Sequence, residues 1–409
     1  MNVEPWLVRA ARVRPQHEAL RTPEGSLTYA QLLAAARGAA GALDGAREVA
    51  IALSPGRDFA IALHGCLLAG ATAVPVDLRL PAAEQARVAA GADLVVDGPL
   101  RSVRSADPRP HDLGRTAIVV RTSGTSGKPE RVELTYGNWL WSALGAHTAM
   151  GVKPHERWLC ALPLTHVGGL SILLRSVIYA TTAIVHARFE ADRAAAEDHT
   201  VISVVPTTLA RLLDAGVRSG RALVGGAPVA PALLARAGEQ GVEAIETYGL
   251  TEACSQVTTA GRPLFCTRVS LTREGEILVE GPTVAPSAGP RLHTGDLGAW
   301  SSDGRLLVIG RLADTIVTGG ENVSPVEVER VLESHPAVAE AAVFGRPDPE
   351  WGEAVAAQVV LRPGATTSEE ALLVFCRENL APFQVPKDLS FVAALPRNAV
   401  GKLLRRHLE

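Results

Sequence analysis

The chain has 409 residues, 47% of them hydrophobic and 20% charged, with a formal net charge of −3. So much apolar material excludes a disordered chain, and the near-neutral balance excludes a protein that chiefly neutralises a polyanion, so no nucleic-acid partner is expected. At roughly 100–200 residues per domain the length asks for two to four domains. Cys66, Cys160, Cys254, Cys266 and Cys376 are scattered and form no C-x-x-C pair, which speaks against a disulfide framework or zinc ribbon and for a reducing compartment. The opening MNVEPWLVRA carries an acid and a proline and leads into no apolar leader core, so a cytoplasmic chain is expected.

Taken in chain order, 29–43 reads as a helix and 49–53 as a strand. The apolar stretch 59–76 is interrupted by His64, Gly65, Gly70 and Pro75; it reads as a buried helix followed by a strand rather than a membrane span. Strands follow at 117–120, 183–185 and 201–205, and a helix at 207–215. This alternation predicts an α/β fold, a large N-terminal domain of layered, largely parallel sheets and helices over residues 1–313. Near Leu271 the pattern changes to short strands, 276–280 and 305–309, between turn-like clusters. Ser324-Pro325-Val326-Glu327 then predicts a helix start with a serine cap, a proline at the first position and a capping box, the helix ending at Pro336. Strands at 341–344 and 354–361, a helix at 368–380 and a strand at 389–391 complete a small α+β domain. The boundary is placed at Asp314, which leaves 314–409 about the minimum size to own a core.

Lysine is scarce: Lys128, Lys153, Lys387 and Lys402 stand against 36 arginines. A lysine retained in such a chain is a candidate for a compact point charge that a planar guanidinium cannot imitate, although chance retention covers at least one of the four. Lys128 closes the richest motif, Arg121-Thr122-Ser123-Gly124-Thr125-Ser126-Gly127-Lys128-Pro129, directly after a strand. Its glycines and hydroxyls allow backbone N–H groups close to an anion. The spacing is not that of a Walker A loop, and Pro129 stands where that loop needs a hydroxyl; the segment is either a phosphate cradle or a surface turn. Tyr248-Gly249-Leu250-Thr251-Glu252, placed after a strand ending near Thr247, offers a stacking ring, a hydroxyl and a carboxylate able to hold Mg²⁺. Thr294-Gly295-Asp296, placed in a loop, offers a carboxylate to ribose hydroxyls. Gly225-Gly226-Ala227-Pro228, Gly310-Arg311-Leu312-Ala313-Asp314 and Pro396-Arg397-Asn398-Ala399-Val400-Gly401-Lys402 follow the same logic, and each alone also reads as an ordinary turn.

In this order, over roughly residues 27–407, the motifs resemble those of the adenylate-forming superfamily: acyl-CoA synthetases, peptide-synthetase adenylation domains and luciferases. The resemblance implies a large N-terminal domain with a small mobile C-terminal one, and an ATP-dependent, AMP-forming acid–thiol ligase using ATP, Mg²⁺ and coenzyme A. It implies that Thr122, Ser123, Gly124, Thr125, Ser126, Gly127 and Lys128 hold the β- and γ-phosphates. Tyr248 would stack near adenine beside Gly225, Gly226 and Ala227, with Thr251 on the α-phosphate and Glu252 on Mg²⁺. Asp296 and Arg311 would hold the ribose, Asp314 would be the hinge, and Lys402 would bridge carboxylate and phosphate during adenylation. His166, Gly249 and Leu250 would border the acyl pocket; for His166 a core histidine satisfied by backbone is the other reading.

The segment 162–176 adds a physical signal. It reads as a buried helix in which Arg175 is the only ionisable group between Val167 and Tyr179. A buried arginine needs a partner. It snorkels to the surface, meets a distant acid, or binds an anion of the substrate. With 248–256, 319–322 and the tail from Phe375, this segment resembles the branch of the superfamily that joins an aromatic dicarboxylic acid to CoA in menaquinone synthesis, and Arg175 becomes the candidate for the carboxylate that is not activated. Thr165, where an aromatic is commoner in the family, and a shortened 281–292 depart from that pattern. Another aryl- or acyl-CoA ligase and a stand-alone adenylation enzyme that loads a carrier protein therefore stay open, as does self-association of the chain.

Overall fold

The computed structural model describes residues 1–43, 45–100, 105–122, 130–218, 220–397 and 403–408. Residues 123–129, which include all but Thr122 of the expected phosphate cradle 122–128, and the segment 398–402 with Lys402 lie outside the described residues. The chain separates into two compact units. The first comprises Met1–Gly226, Leu233–Val269 and Val279–Leu292; the second comprises Ala227–Ala232, Ser270–Leu278 and His293–Glu409.

Two sheets organise the first unit. The larger has nine strands. Its middle is parallel, in the order Glu18–Thr22, Thr182–Val185, Arg157–Cys160, Val201–Val204, Arg221–Val224 and Glu243–Leu250. Antiparallel strands flank it, Gly25–Thr28 on one side and Ser255–Thr259 on the other. The smaller sheet runs Leu94–Val96, Glu48–Ile51, Thr72–Pro75 and Thr116–Thr122 in parallel, closed by antiparallel Glu130–Thr135. Short β-branched runs joined by helical crossovers pair in parallel, as the sequence pattern requires. The helices are set by their ends. Tyr29–Ala42 starts on a capping box between Thr28 and Gln31, and Arg57–Ala69 stops at left-handed Gly70. These two helices approach so closely that a Cβ on Gly65 would stand 2.7 Å from the Cβ of Ala39. Helix Val167–Tyr179 is buried along most of its length, as its nearly unbroken apolar run predicts.

In the second unit, strands Glu321–Val323, Ile316–Thr318, Gly352–Leu361 and Val338–Asp348 lie in that order, with Asp388–Phe391 parallel to Gly352–Leu361. Helices Pro325–Ser334 and Glu369–Asn379 contribute Val328, Leu332 and Leu372 to its apolar core. Three local expectations change. Ser324 does precede the helix, but its hydroxyl donates to the Ile309 carbonyl at 3.0 Å and makes no cap, so the capping box at Glu327 is absent. Thr294-Gly295-Asp296 lies inside the strand Leu292–Trp300, not in a loop. Tyr248-Gly249-Leu250 continues its strand rather than following it. The five cysteines are free; Cys266 is half-buried and the other four are buried. No helix of the described residues is long and apolar enough to cross a membrane.

Candidate active site

In the first unit, Gly225 ends the strand Arg221–Val224 beside the strand that carries Tyr248. A Cβ on Gly225 would meet Thr247 Oγ1 at 2.6 Å, so only glycine lets the Gly225-Gly226 turn lie against that strand. Gly226 has φ +81°, which glycine adopts freely. Half-buried Tyr248 sits at a bulge in the pairing with Ser255–Thr259. Thr251 and Glu252 form a single 3₁₀ turn, after which Cys254 and Ser255 both take left-handed backbone, φ 51° and 87°. Non-glycine residues hold such conformations when the surroundings impose them, and they gather at functional sites. The fold-back brings the Ser255 carbonyl onto Gly249, where a Cβ would lie 1.6 Å from it. Among the described residues Glu252 pairs with no protein cation: its main-chain oxygen accepts the Ala285 N–H at 2.7 Å, and its half-buried carboxylate makes no ion pair.

His166 precedes the helix Val167–Tyr179 and accepts the Leu170 N–H on its carbonyl at 3.0 Å. Burial lowers its imidazole pKa, the Arg79 guanidinium lowers it further, and Asp77 opposes both. Asp77 and Arg79 are themselves paired, Arg79 Nε to Asp77 Oδ1 at 2.8 Å. Burial pushes the Asp77 carboxyl up, but its bonds to Arg79 outweigh that and hold it below the ordinary range. The ring is half-buried, and the charges acting on it belong to an ion pair that the sequence reading missed. An Asp-x-Arg spacing just past the strand Thr72–Pro75 is the signal that was available. Beside His166, the buried Thr165 hydroxyl has no hydrogen-bond partner among the described residues.

Arg175 is 3% exposed, which removes the snorkelling alternative. It meets no acid among the described residues, which removes the distant-acid alternative. Its Nη1 donates to Gln256 Oε1 at 3.3 Å and its Nη2 to Ser142 Oγ at 3.1 Å. Ser142 in turn donates to the Cys254 carbonyl at 2.7 Å. The guanidinium lies 5.8 Å from the Trp158 ring centroid, and Nε has no hydrogen-bond partner among the described residues. Burial drives its pKa down, against the weaker pull of Tyr179 and Cys254. A charge held only by neutral groups remains short of compensation. Gln256 sits four residues beyond Glu252, and Ser142 holds the carbonyl of Cys254, two residues beyond it, so Arg175 is tied to the fold-back of the Thr251-Glu252 turn once directly and once through Ser142. Neither Ser142 nor Gln256 stood out in the sequence, because each is an ordinary polar residue until Arg175 is placed between them.

In the second unit Asp296 and Arg311 are directly opposite across antiparallel strands, with Arg311 Nε 2.9 Å from Asp296 Oδ1. Asp296 is buried and also takes part in the turn in which its N–H meets Thr294 Oγ1 at 3.1 Å. Asp314 ends the 3₁₀ turn Leu312–Asp314. Ala227 belongs to this unit as well. The described strands bordering 123–129 pair with Thr122 opposite Glu130.

Among the described residues no group of three or more His, Cys, Asp or Glu could enclose a metal ion. A single carboxylate such as Glu252, free of protein cations, suits a hard divalent ion whose remaining ligands are phosphate oxygens and water. It does not suit a resident, protein-enclosed metal.

Parallel sheets with a glycine turn at one strand end and, at the next, a Thr-Glu turn followed by left-handed backbone, together with a smaller second unit, define an α/β fold of the kind that binds ligands at its strand ends. The family model of the AMP-binding enzymes matches residues 7–98 and 87–287, and that of the AMP-binding enzyme C-terminal domain matches 327–402. The chain belongs to the AMP-binding enzyme family. It is 34% identical to the 2-succinylbenzoate–CoA ligase of Bacillus subtilis over 99% of this chain and 97% of that one. It is 40% identical to the ligase of the same name from Geobacillus kaustophilus over 73% of this chain and 70% of that one. The solved o-succinylbenzoate CoA synthetase of Bacillus subtilis, in complex with the acyl-adenylate intermediate OSB-AMP, matches with a TM-score of 0.90 and 32% identity, covering 100% of this chain and 98% of that one.

Proposed function

We propose that the chain is an ATP-dependent, AMP-forming 2-succinylbenzoate–CoA ligase acting in the cytosol in menaquinone synthesis. The succinyl carboxylate attacks the α-phosphorus of ATP, its oxygen forming the new P–O bond as pyrophosphate leaves. The CoA thiol then attacks the acyl carbon, and AMP departs. Relatives of that name spanning nearly the whole chain support the reaction. Arg175, a buried guanidinium whose partners among the described residues are neutral, carries the substrate assignment: a second carboxylate supplies the anion it lacks.

The first step brings anions together, so most of the catalysis is positioning and charge stabilisation. In this reading Thr251 donates to the α-phosphate and Tyr248 flanks adenine beside Gly225, Gly226 and Ala227. The loop 122–128 holds the terminal phosphates, and Lys402 bridges the reacting carboxylate and phosphate. Asp296 accepts from ribose hydroxyls, oriented by Arg311. Glu252 would hold Mg²⁺, which when bound neutralises phosphate charge. His166 and the unpartnered Thr165 hydroxyl border the acyl pocket with Gly249 and Leu250.

The test is a pyrophosphate-release assay over a panel of acids, with and without CoA, on wild type and Arg175→Ala. Truncating one partner of a buried charge pair costs roughly 2–5 kcal/mol, so kcat/KM for 2-succinylbenzoate is expected to fall about 30-fold to several thousand-fold. The analogue without the ring carboxylate should lose little. Equal losses on both acids, with a lowered melting temperature, would mean that Arg175 is structural. Release that is indifferent to CoA at every acid would favour a carrier-loading enzyme.

A further inference from the structure

Two neutral arms hold the Arg175 guanidinium, and one of them has the shape and reach of an acid. Gln256 is buried, 3% exposed like Arg175 itself. Its Oε1 accepts from Arg175 Nη1 at 3.3 Å, and its Nε2 donates to the Thr259 hydroxyl. The cation settles the orientation of the amide: a guanidinium only donates, so Oε1 must face it and Nε2 turns to Thr259. Ser142 is the other arm. Its oxygen takes Arg175 Nη2 at 3.1 Å and its proton goes to the Cys254 carbonyl at 2.7 Å, so it has no charge to offer. In the strand pairing Gln256 stands opposite Gly249.

An amide oxygen satisfies a donor without supplying the negative charge that a buried cation lacks. A carboxylate of the same length at this place would close the pair inside the protein. We propose that Gln256 is a specificity-determining residue. By holding Arg175 through a neutral oxygen it keeps the guanidinium's charge open for a carboxylate of the substrate, and so selects aromatic dicarboxylic over monocarboxylic acids. The cation is already desolvated and held in place in the folded chain, so an incoming carboxylate meets a preorganised partner. A monocarboxylic acid leaves Arg175 as it was and gains nothing there. The inference rests on the reading of Arg175 as the counter-ion of the second carboxylate. Its own content is that the neutrality of residue 256 sets the selection.

Wild type, Gln256→Glu, Gln256→Met and Arg175→Ala are assayed as full chains for pyrophosphate release with 2-succinylbenzoate and with the analogue lacking the ring carboxylate. The assays run at about pH 8, well above the ordinary carboxyl range, with melting temperatures measured alongside. Gln256→Glu should cut kcat/KM for 2-succinylbenzoate by at least about 100-fold, because two carboxylates then compete for one cation and like charges in close juxtaposition are strongly disfavoured. The analogue should stay within about threefold of wild type, so the ratio between the acids, which is the specificity, collapses. Gln256→Met removes the amide without adding charge, and the preference for the dicarboxylate should persist. Gln256→Glu should melt no lower than wild type, since it gives a buried cation an anion of nearly unchanged shape. A lower melting temperature, or a failure to fold, would mean that the guanidinium lacks no anion, and overturns the inference. An unchanged preference in Gln256→Glu, equal loss on both acids, or loss of the preference in Gln256→Met overturns it as well. Arg175→Ala separates the two readings. If that variant loses both acids alike, the substrate reading of Arg175 fails and this inference with it; if it discriminates while Gln256→Glu does not, only Gln256 is misassigned.

Discussion

Gly249 has no room for a side chain. With the Ser255 carbonyl 1.6 Å from where a Cβ would sit, the strand or the left-handed Cys254–Ser255 pair has to move, and the Thr251-Glu252 turn lies between them. Overpacking of this kind typically costs ~1–3 kcal/mol, and here the displaced backbone is also the candidate catalytic turn. Gly249→Ala is therefore expected to lower the melting temperature by several degrees and to cut pyrophosphate release by more than about tenfold. A variant that melts lower but releases pyrophosphate at the wild-type rate would separate the turn from the chemistry. The motif around Gly249 was legible in the sequence as a candidate site. The reason for the glycine was not, because it depends on a chain reversal six residues later. Arg175 was legible as an oddity by its isolation in an apolar run, whereas Ser142 and Gln256 acquire meaning only in three dimensions.

At the scale of elements, periodicity and punctuation located most helices and strands to within a few residues, and they missed where a motif lies relative to a pairing. Thr294-Gly295-Asp296 looks like a loop because of its glycine, yet it is a strand whose Asp296 faces Arg311 from a partner strand. Ser324 has the composition of a cap, yet its hydroxyl is taken by Ile309. Both outcomes come from tertiary hydrogen bonds that override local preference. Asp314, proposed as the hinge, ends a one-turn 3₁₀ element and contacts Arg405. Asp314→Pro fixes φ there and is expected to slow one half-reaction at least about tenfold more than the other, as blocked interconversion would. Asp314→Ala removes the same ion pair without fixing φ and should affect the two steps more evenly. Unchanged rates in the proline variant would remove the hinge.

Over the whole molecule, the main core of the first unit encloses two histidines that the proposed chemistry does not use. His64 and His111 are buried, and burial lowers their pKa values to about 4 and about 3; for His111 the neighbouring His64 adds to the effect. Among the described residues neither ring nitrogen of His111 has a hydrogen-bond partner, and Trp6 and Tyr136 pack against the ring at 4.7 and 4.4 Å. With folded values below the unfolded one, the unfolded chain binds more protons across this interval. Stability is full above about pH 6.5 and is lost as the pH falls towards the folded values, by on the order of 2–3 kcal/mol per group near pH 4. Denaturant melts between pH 4 and 7 should show that slope, and His111→Phe should flatten it. A slope unchanged in the variant would assign the acid sensitivity to other groups. The α/β class, and a small separate unit towards the C-terminus, were legible from strand–helix alternation and its breakdown near Leu271. The composition of that unit, which also draws in Ala227–Ala232 and Ser270–Leu278, was not, since no local signal marks a segment that leaves one core and returns.

The concealment of the cysteines has a practical side. Four of the five sulfurs are buried, and burial pushes the half-buried Cys266 thiol up as well, so it is a poor thiolate at neutral pH. Colorimetric titration of free thiol can therefore follow CoA consumption continuously in the presence of this protein at substrate-like concentrations, against a background of at most one slow sulfhydryl per chain. The same reagent turns into an unfolding gauge once denaturant releases the other four.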